Sequence, residues 1–126
     1  MNTKLLMSAA AVTLGAAGIA LSFLPREILT MLDEPPSQTV ELLLQLLGAL
    51  SFGFAMLDWM AKESALGGIY GRPIVAGNSA HFVIGALALI KGMSDHQHIE
   101  LWIAAGVYTV FALLFSILMY TNPSTK

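Results

Sequence analysis

Residues 101–120 read LWIAAGVYTVFALLFSILMY, twenty residues without one charged side chain. A helix needs about 20 mainly apolar residues to cross the hydrocarbon core of a bilayer. The strands of a membrane barrel are about 10 residues long and alternate between apolar and polar positions, and this stretch does not alternate. It therefore predicts a transmembrane α-helix.

Three further stretches have the same apolar character: residues 5–24, 42–61 and 74–90. The first could be read as a secretory signal, but its apolar run exceeds the roughly 7 to 15 residues of a signal core, so we expect a membrane helix. The expected fold is all-α, a polytopic membrane protein. Residues 1–126 are expected to form one domain, a bundle of four transmembrane helices.

The composition agrees with a lipid environment. Charged residues make up only 11% of the chain, against about 25% in soluble domains. The net charge of −2 argues against a nucleic acid partner, because phosphate binding needs a basic surface. The chain has no cysteine, which excludes thiolate metal sites. We expect the lipid bilayer as the surroundings and no cofactor.

The connections carry helix start and stop signals. Pro25 opens a short predicted interfacial helix over residues 26–32. The apolar residues of this helix are expected to lie on the membrane: Ile28, Leu29 and Leu32. Ser37 is a predicted N-cap for the second span, and Pro73 suits the first turn of the third.

Lysine and arginine predict the orientation, because cytoplasmic loops carry an excess of them. With a cytoplasmic N-terminus, four of the six cations lie inside: Lys4, Lys62, Arg72 and Lys126. Arg26 and Lys91 then lie outside. We expect a multi-pass protein of a cell membrane, such as the bacterial inner membrane, with both termini in the cytoplasm.

Each predicted span carries a stripe of small or polar residues whose spacing alternates between three and four, the period of left-handed helix packing. Small residues let membrane helices approach closely. The glycines expected at helix contacts are Gly15, Gly18, Gly48, Gly77 and Gly85. The stripe of the third span runs through Gly77, Asn78, His81, Gly85 and Ala88. We expect the four stripes to face a common interior.

One carboxylic acid and one basic side chain lie inside predicted spans, Asp58 in the second and His81 in the third. Asn78 precedes His81 by three residues, so the two share a helix face. Ionisable groups inside a membrane are costly and are functional candidates by default. The sequence predicts a polar pocket of Asp58, Asn78 and His81. In the alternative reading, Asp58 reaches interfacial water beside Trp59, and the other two only bond neighbouring helices.

Two other polar features are weaker. His96 and His98 lie near acids in the third connection, but a transition-metal site needs a further fixed ligand, and we expect no metal. The alternative is a solvated loop in which Ser94 or Asp95 caps the last helix. Gln45 lies off the stripe of the second span, and we expect it to bond another helix rather than a ligand.

The runs LLLQLLGA at 42–49, GFAMLDW at 53–59 and GIYGRP at 68–73 resemble small uncharacterised bacterial membrane proteins. In length, helix number and loop pattern, the chain also looks like the broad DoxX-like group of four-helix membrane proteins. This resemblance implies the fold and transfers no functional residue. The chain departs from small multidrug transporters, whose essential acid in the first helix has no counterpart here.

Three functions are compatible with these features. The first is binding or transport of a small ligand or ion through the polar pocket, and transport by so small a chain would need a homo-oligomer. The second is a non-catalytic accessory subunit that packs against a larger membrane protein. The third, a membrane enzyme acting on a lipid or quinone, is the weakest, because catalysis normally needs several convergent reactive groups.

Overall fold

A computed structural model describes residues 2–64, 66, 68–69, 71–95 and 98–121. Over these residues the chain forms five helices: α1 (Thr3–Phe23), α2 (Pro25–Met31), α3 (Gln38–Ala61), α4 (Arg72–Met93) and α5 (Ile99–Tyr120). Four of them, all except α2, are long and apolar enough to cross a membrane. The prediction of an all-α fold with four such helices is therefore confirmed for the part of the chain described.

The helices fall into two compact units. The α1–α3 hairpin comprises residues 5–62 and contains α2 in its connection. The α4–α5 hairpin comprises residues 63–126 together with the first four residues. Within this second unit, Lys4 Nζ and Glu63 Oε1 form an exposed ion pair at 2.6 Å.

The start of α3 follows its sequence signals. Ser37 is the N-cap residue, and its hydroxyl accepts a hydrogen bond from the Val40 amide at 3.4 Å. Proline also lies in the first turn of α4, where its missing amide costs nothing. Both predictions are confirmed.

The third span is longer than its apolar run suggests. The sequence places its end at Ile90, but α4 continues through Lys91 and Gly92 to Met93. A basic residue is favourable in the last turn of a helix, so Lys91 ends the apolar run without ending the helix. The predicted cap of α5 is wrong: Ser94 ends α4 and donates to the Lys91 carbonyl, and His98 is the N-cap of α5.

The short helix α2 exists, but one of its predicted membrane contacts is wrong. Leu29 is only 4% exposed, so it packs against protein and not against lipid. Arg26 Nε donates to Glu41 Oε1 at 2.8 Å and so ties α2 to α3. This hydrogen bond and the charge of Glu41 raise the pKa of Arg26. The helix ends at Met31 with Leu32 as its C-cap, and the next residue, Asp33, adopts a left-handed conformation (φ 58°).

Candidate functional site

The α1–α3 hairpin packs through backbone contact at glycine. A Cβ atom added to Gly48 would lie 2.8 Å from the Gly18 carbonyl oxygen and 2.5 Å from Ser22 Oγ. Further along, a Cβ on Gly15 would meet Ala55 at an ordinary 3.6 Å. These pairings run in opposite directions along the two helices, so α1 and α3 are antiparallel. Only glycine fits where the two backbones are closest.

One face of α3 is buried and consists of small or polar residues: Gly48, Ser51, Ala55, Asp58 and Ala61. Asp58 has no exposed surface. The opposite face carries exposed leucines, among them Leu43, Leu46, Leu50 and Leu57. Gly48, which the sequence places at a helix contact, lies on the buried face. At the end of α3, Lys62 Nζ lies 3.1 Å from the centre of the Trp59 ring, an arrangement that suits a membrane interface.

The α4–α5 hairpin is built differently, around aromatic rings. Phe82 of α4 has no exposed surface. Its ring stacks on Phe111 and Phe115 of α5, with centroid separations of 4.9 and 5.6 Å, and meets Tyr108 edge-on at 5.0 Å. These distances lie in the range of favourable aromatic contacts. Four rings from two helices therefore fix how α4 and α5 pack.

A polar pair lies beside these rings. The Tyr108 ring covers Gly85, where an added Cβ would lie only 2.5 Å from Cε2 of the ring. From that position the Tyr108 hydroxyl is hydrogen-bonded to His81 Nε2 at 2.9 Å. Both residues are only partly buried. Because Gly85 has no side chain, the Tyr108 ring can lie against it, and in this position its hydroxyl reaches His81.

Other polar side chains of this hairpin form hydrogen bonds within it. Asn78 has no exposed surface and donates from Nδ2 to the Ile74 carbonyl at 3.0 Å. The hydroxyls of Ser79 and Ser116 are hydrogen-bonded across α4 and α5 at 3.3 Å. Such bonds hold membrane helices together. They contribute to packing, whereas His81 and Tyr108 present ionisable groups on a partly open surface.

Arg72 fastens one end of the same hairpin. Its guanidinium donates to the carbonyl oxygens of Leu118, Met119 and Thr121, at 3.4, 2.9 and 3.1 Å. The last carbonyls of a helix have no partner within the helix. Arg72, in the first turn of α4, supplies that partner for α5. Its positive charge also interacts favourably with the negative end of the α5 dipole.

The structure distributes the predicted pocket residues over both units. Asp58 belongs to the α1–α3 hairpin, whereas Asn78 and His81 belong to the α4–α5 hairpin. The shared pocket stays a prediction from the sequence. On the α4 stripe, Gly77 is half-buried but Ala88 is exposed, so that assignment of Ala88 is wrong. The buried face is instead formed by Val75, Asn78, Phe82 and Ala86, because a large ring rather than a small residue occupies its centre.

Sequence reasoning missed Tyr108, the partner of His81. The available signal was a single hydroxyl-bearing ring near the middle of the most apolar span, where a polar atom needs a partner. For the weak metal alternative, His96 lies outside the described residues. Among the residues that are described, no group of three or more histidine, aspartate or glutamate side chains could hold a metal ion.

No family model, no curated protein and no solved structure matches this chain. The likeness in layout to the DoxX-like group therefore stays a prediction. Any assignment of function rests on the chemistry of the two hairpins themselves.

Proposed function

We propose that this chain is an integral membrane protein whose α1, α3, α4 and α5 cross the bilayer. The support is the length and apolar character of all four helices. The lysine and arginine bias further supports a location in a cell membrane, such as the bacterial inner membrane, with both termini in the cytoplasm.

Within that setting, we propose that the protein binds a small ligand or ion at a polar intramembrane site that includes His81 and Tyr108. The observation that carries the proposal is their hydrogen bond of 2.9 Å in the middle of two apolar helices. Polar groups at this depth are expensive and are retained mainly where they serve a site or a pairing. Ring packing accounts for the Tyr108 ring but not for its hydroxyl or for the His81 imidazole, because the stacked phenylalanines need no polar group.

The pair offers a definite chemistry. An imidazole and a phenol can each donate or accept a hydrogen bond. They would hold the polar group of an otherwise apolar molecule, while the edge of the aromatic cluster would contact its apolar part. Asn78, one turn before His81 and wholly buried, would support this site from within α4. Asp58 enters as a further candidate through the pocket that the sequence predicts.

Ligand binding is tested by mass spectrometry of the protein released intact from lipid nanodiscs. The wild type is expected to retain a small molecule, and both Tyr108→Phe and His81→Gln are expected to lose it. Tyr120→Phe is the matched control, because it removes a hydroxyl from the same helix at a residue that is 90% exposed. Equal retention by Tyr108→Phe and Tyr120→Phe would refute the site.

The orientation is tested with a reporter that is active only outside the cytoplasm. Fusion after Ser94, at the end of α4, is expected to give signal, and fusion after Lys126 is not. The reverse pattern would invert the proposed topology. Signal from both fusions would mean that an even number of segments crosses between them, so that α5 would not be a single crossing.

An accessory role is the second candidate, and a specific observation favours it. Only 17% of an apolar 18-residue stretch of α3 is buried, against 33% of the corresponding stretch of α1. Such an open helix face is available to another membrane protein as well as to lipid. Co-purification of a stoichiometric larger subunit from native membranes would support this role over ligand binding by the isolated chain.

A further inference from the structure

The two ends of the α4–α5 hairpin carry cationic and aromatic side chains at matching levels. At one end, Arg72 of α4 donates to the last carbonyl oxygens of α5, beside Tyr120. Hydrogen bonds across the hairpin make the helices antiparallel, and the same register brings Lys91 of α4 level with Trp102 of α5. Lys91 is exposed, and so are the two aromatic residues. Tryptophan, tyrosine and basic residues of this kind are typical of the two interfaces of a bilayer.

The distance between these two ends matches the thickness of a hydrocarbon core. Arg72 and Lys91 are nineteen residues apart on α4, and Trp102 and Tyr120 are eighteen apart on α5. At 1.5 Å rise per residue, both separations are about 27 to 29 Å, close to the roughly 30 Å of a typical bilayer core. Between these limits every exposed residue of α4 and of α5 is apolar. The four residues therefore mark where the hairpin would enter and leave the hydrocarbon.

The hydrogen-bonded pair of His81 and Tyr108 lies well inside these limits. His81 is nine residues from Arg72 and ten from Lys91, so its backbone lies about 14 Å from either end of the hairpin. Tyr108 is six residues, or roughly 9 Å, from Trp102. Since the exposed residues of both helices between the limits are apolar, no polar surface of this hairpin leads water to the pair.

The Tyr108 hydroxyl retains capacity for a second hydrogen bond. A phenol donates one hydrogen bond and also accepts, and this hydroxyl is bonded to His81 Nε2 at 2.9 Å. If Nε2 carries the proton, the hydroxyl proton is left to donate elsewhere; if it does not, the phenol oxygen is left to accept. Beside His81 on α4, Ile84 and Ala88 lie on the same side of the helix and are exposed. The surroundings of the pair are therefore apolar on its open side.

We propose that the ligand of His81 and Tyr108 is a lipid-soluble molecule with an uncharged hydroxyl or carbonyl oxygen, which reaches the pair from the hydrocarbon core. The ligand class rests on the site and on the membrane placement proposed above. A hydrated ion would have to give up its water before it crossed the apolar surface to this depth. An uncharged oxygen that is already dissolved in hydrocarbon lacks a hydrogen-bond partner there, and the Tyr108 hydroxyl supplies one.

Quenching of tryptophan fluorescence by brominated lipids tests the depth of the pair. One variant, Trp59→Phe, keeps Trp102 as its only tryptophan. The other carries Trp59→Phe, Trp102→Phe and Ile84→Trp, which moves the tryptophan to an exposed position one turn from His81. Lipids brominated near the headgroup are expected to quench Trp102 more strongly, and lipids brominated near the chain end should favour position 84. The same quenching profile at both positions would overturn the deep location of the pair.

Binding is tested in lipid nanodiscs with protein whose tyrosines carry carbon-13 at Cζ. The probe is dinonyl carbinol, a saturated chain with a hydroxyl at its centre, and the control is nonadecane, the same chain without the hydroxyl. The carbinol is expected to shift the Tyr108 signal, which is identified by its absence in Tyr108→Phe, whereas nonadecane should not. The exposed Tyr120 is the internal reference. His81→Gln is expected to raise the dissociation constant of the carbinol several-fold, because the hydroxyl then loses the partner that orients it.

The remaining outcomes distinguish the ligand class from the site itself. Equal shifts with carbinol and nonadecane would overturn the hydrogen bond to an oxygen. A shift of the Tyr108 signal with sodium, potassium or chloride, but not with the carbinol, would overturn the lipid-soluble class and leave a ligand site at the pair. No shift with any of these probes also overturns the lipid-soluble class. The site itself is refuted only if Tyr108→Phe retains the native molecule as fully as Tyr120→Phe.

Discussion

The two hairpins solve the same packing problem in opposite ways. The α1–α3 hairpin has glycine at its closest contact, so that the backbones of α1 and α3 meet at Gly18 and Gly48. The α4–α5 hairpin fills the space with rings centred on Phe82. In the bilayer that we propose as the surroundings, the hydrophobic effect would not drive helices together, so both hairpins would depend on close packing and hydrogen bonds. The glycine contact admits no added atom. In the aromatic hairpin, His81 and Tyr108 lie half-buried beside the packed rings.

The largest expected effect is in the aromatic hairpin. Phe82→Ala removes a ring that contacts several others and leaves a cavity between α4 and α5. We expect a loss of about 3 kcal/mol of unfolding free energy, at the lower end of the range for buried phenylalanine because lipid removes the water-transfer part. Leu113→Ala, at an exposed position of α5, should cost much less. Equal losses in a detergent unfolding assay would contradict the central role of Phe82.

In the glycine hairpin a single methyl group should be enough to disturb packing. Gly48→Ala places a Cβ 2.8 Å from the Gly18 carbonyl oxygen, so the helices must separate, at about 1 to 3 kcal/mol. Gly15→Ala is the matched control, because its Cβ would meet Ala55 at 3.6 Å. Thermal denaturation in detergent measures both. If Gly48→Ala is as stable as Gly15→Ala, the backbone contact at Gly48 does not limit the packing of α1 and α3, and the contrast with the aromatic hairpin is wrong.

The polar edge of the aromatic hairpin gives a smaller effect. A double-mutant cycle of His81→Gln and Tyr108→Phe should show a coupling of roughly 0.6 kcal/mol and up to about 1.7, the range measured for hydrogen bonds inside membrane proteins. Gly85→Ala should reduce this coupling, because its methyl group displaces the Tyr108 ring. If the effects of the two substitutions are additive, His81 and Tyr108 do not stabilise each other.

The smallest effect decides whether the hairpins act together. The sequence predicts that Asp58 and His81 share a cavity. Removing one partner of a buried charged pair should then cost more than removing both. The cycle uses Asp58→Asn, His81→Gln and the double variant, with detergent stability as the measurement. Coupling above about 0.5 kcal/mol would support contact, and strict additivity would leave Asp58 and His81 as separate features of their own hairpins.

The buried face of α3 follows the rule that small and polar residues mark helix contacts, and that of α4 does not. On α3 the small and polar residues coincide, because α1 approaches closely enough to demand them. On α4 the same rule selects Ala88, which is exposed, and overlooks Phe82. The rule assumes backbone contact, and it fails where two helices are held apart by rings. Tyr108, the partner of His81, was also missed because the contact depends on ring packing between the helices. The tyrosine reaches His81 only because its ring lies against Gly85.

The sequence by itself determined that four long apolar helices form, although not where α4 ends. It also determined the cap at Ser37 and the helix contact at Gly48. These features depend on local composition and on periodicity along one helix. The tertiary structure decided which side chains meet across helices: Tyr108 with His81, Arg72 with the end of α5, and Leu29 with protein rather than lipid. Such pairings depend on the register and separation of two helices, which no single segment encodes.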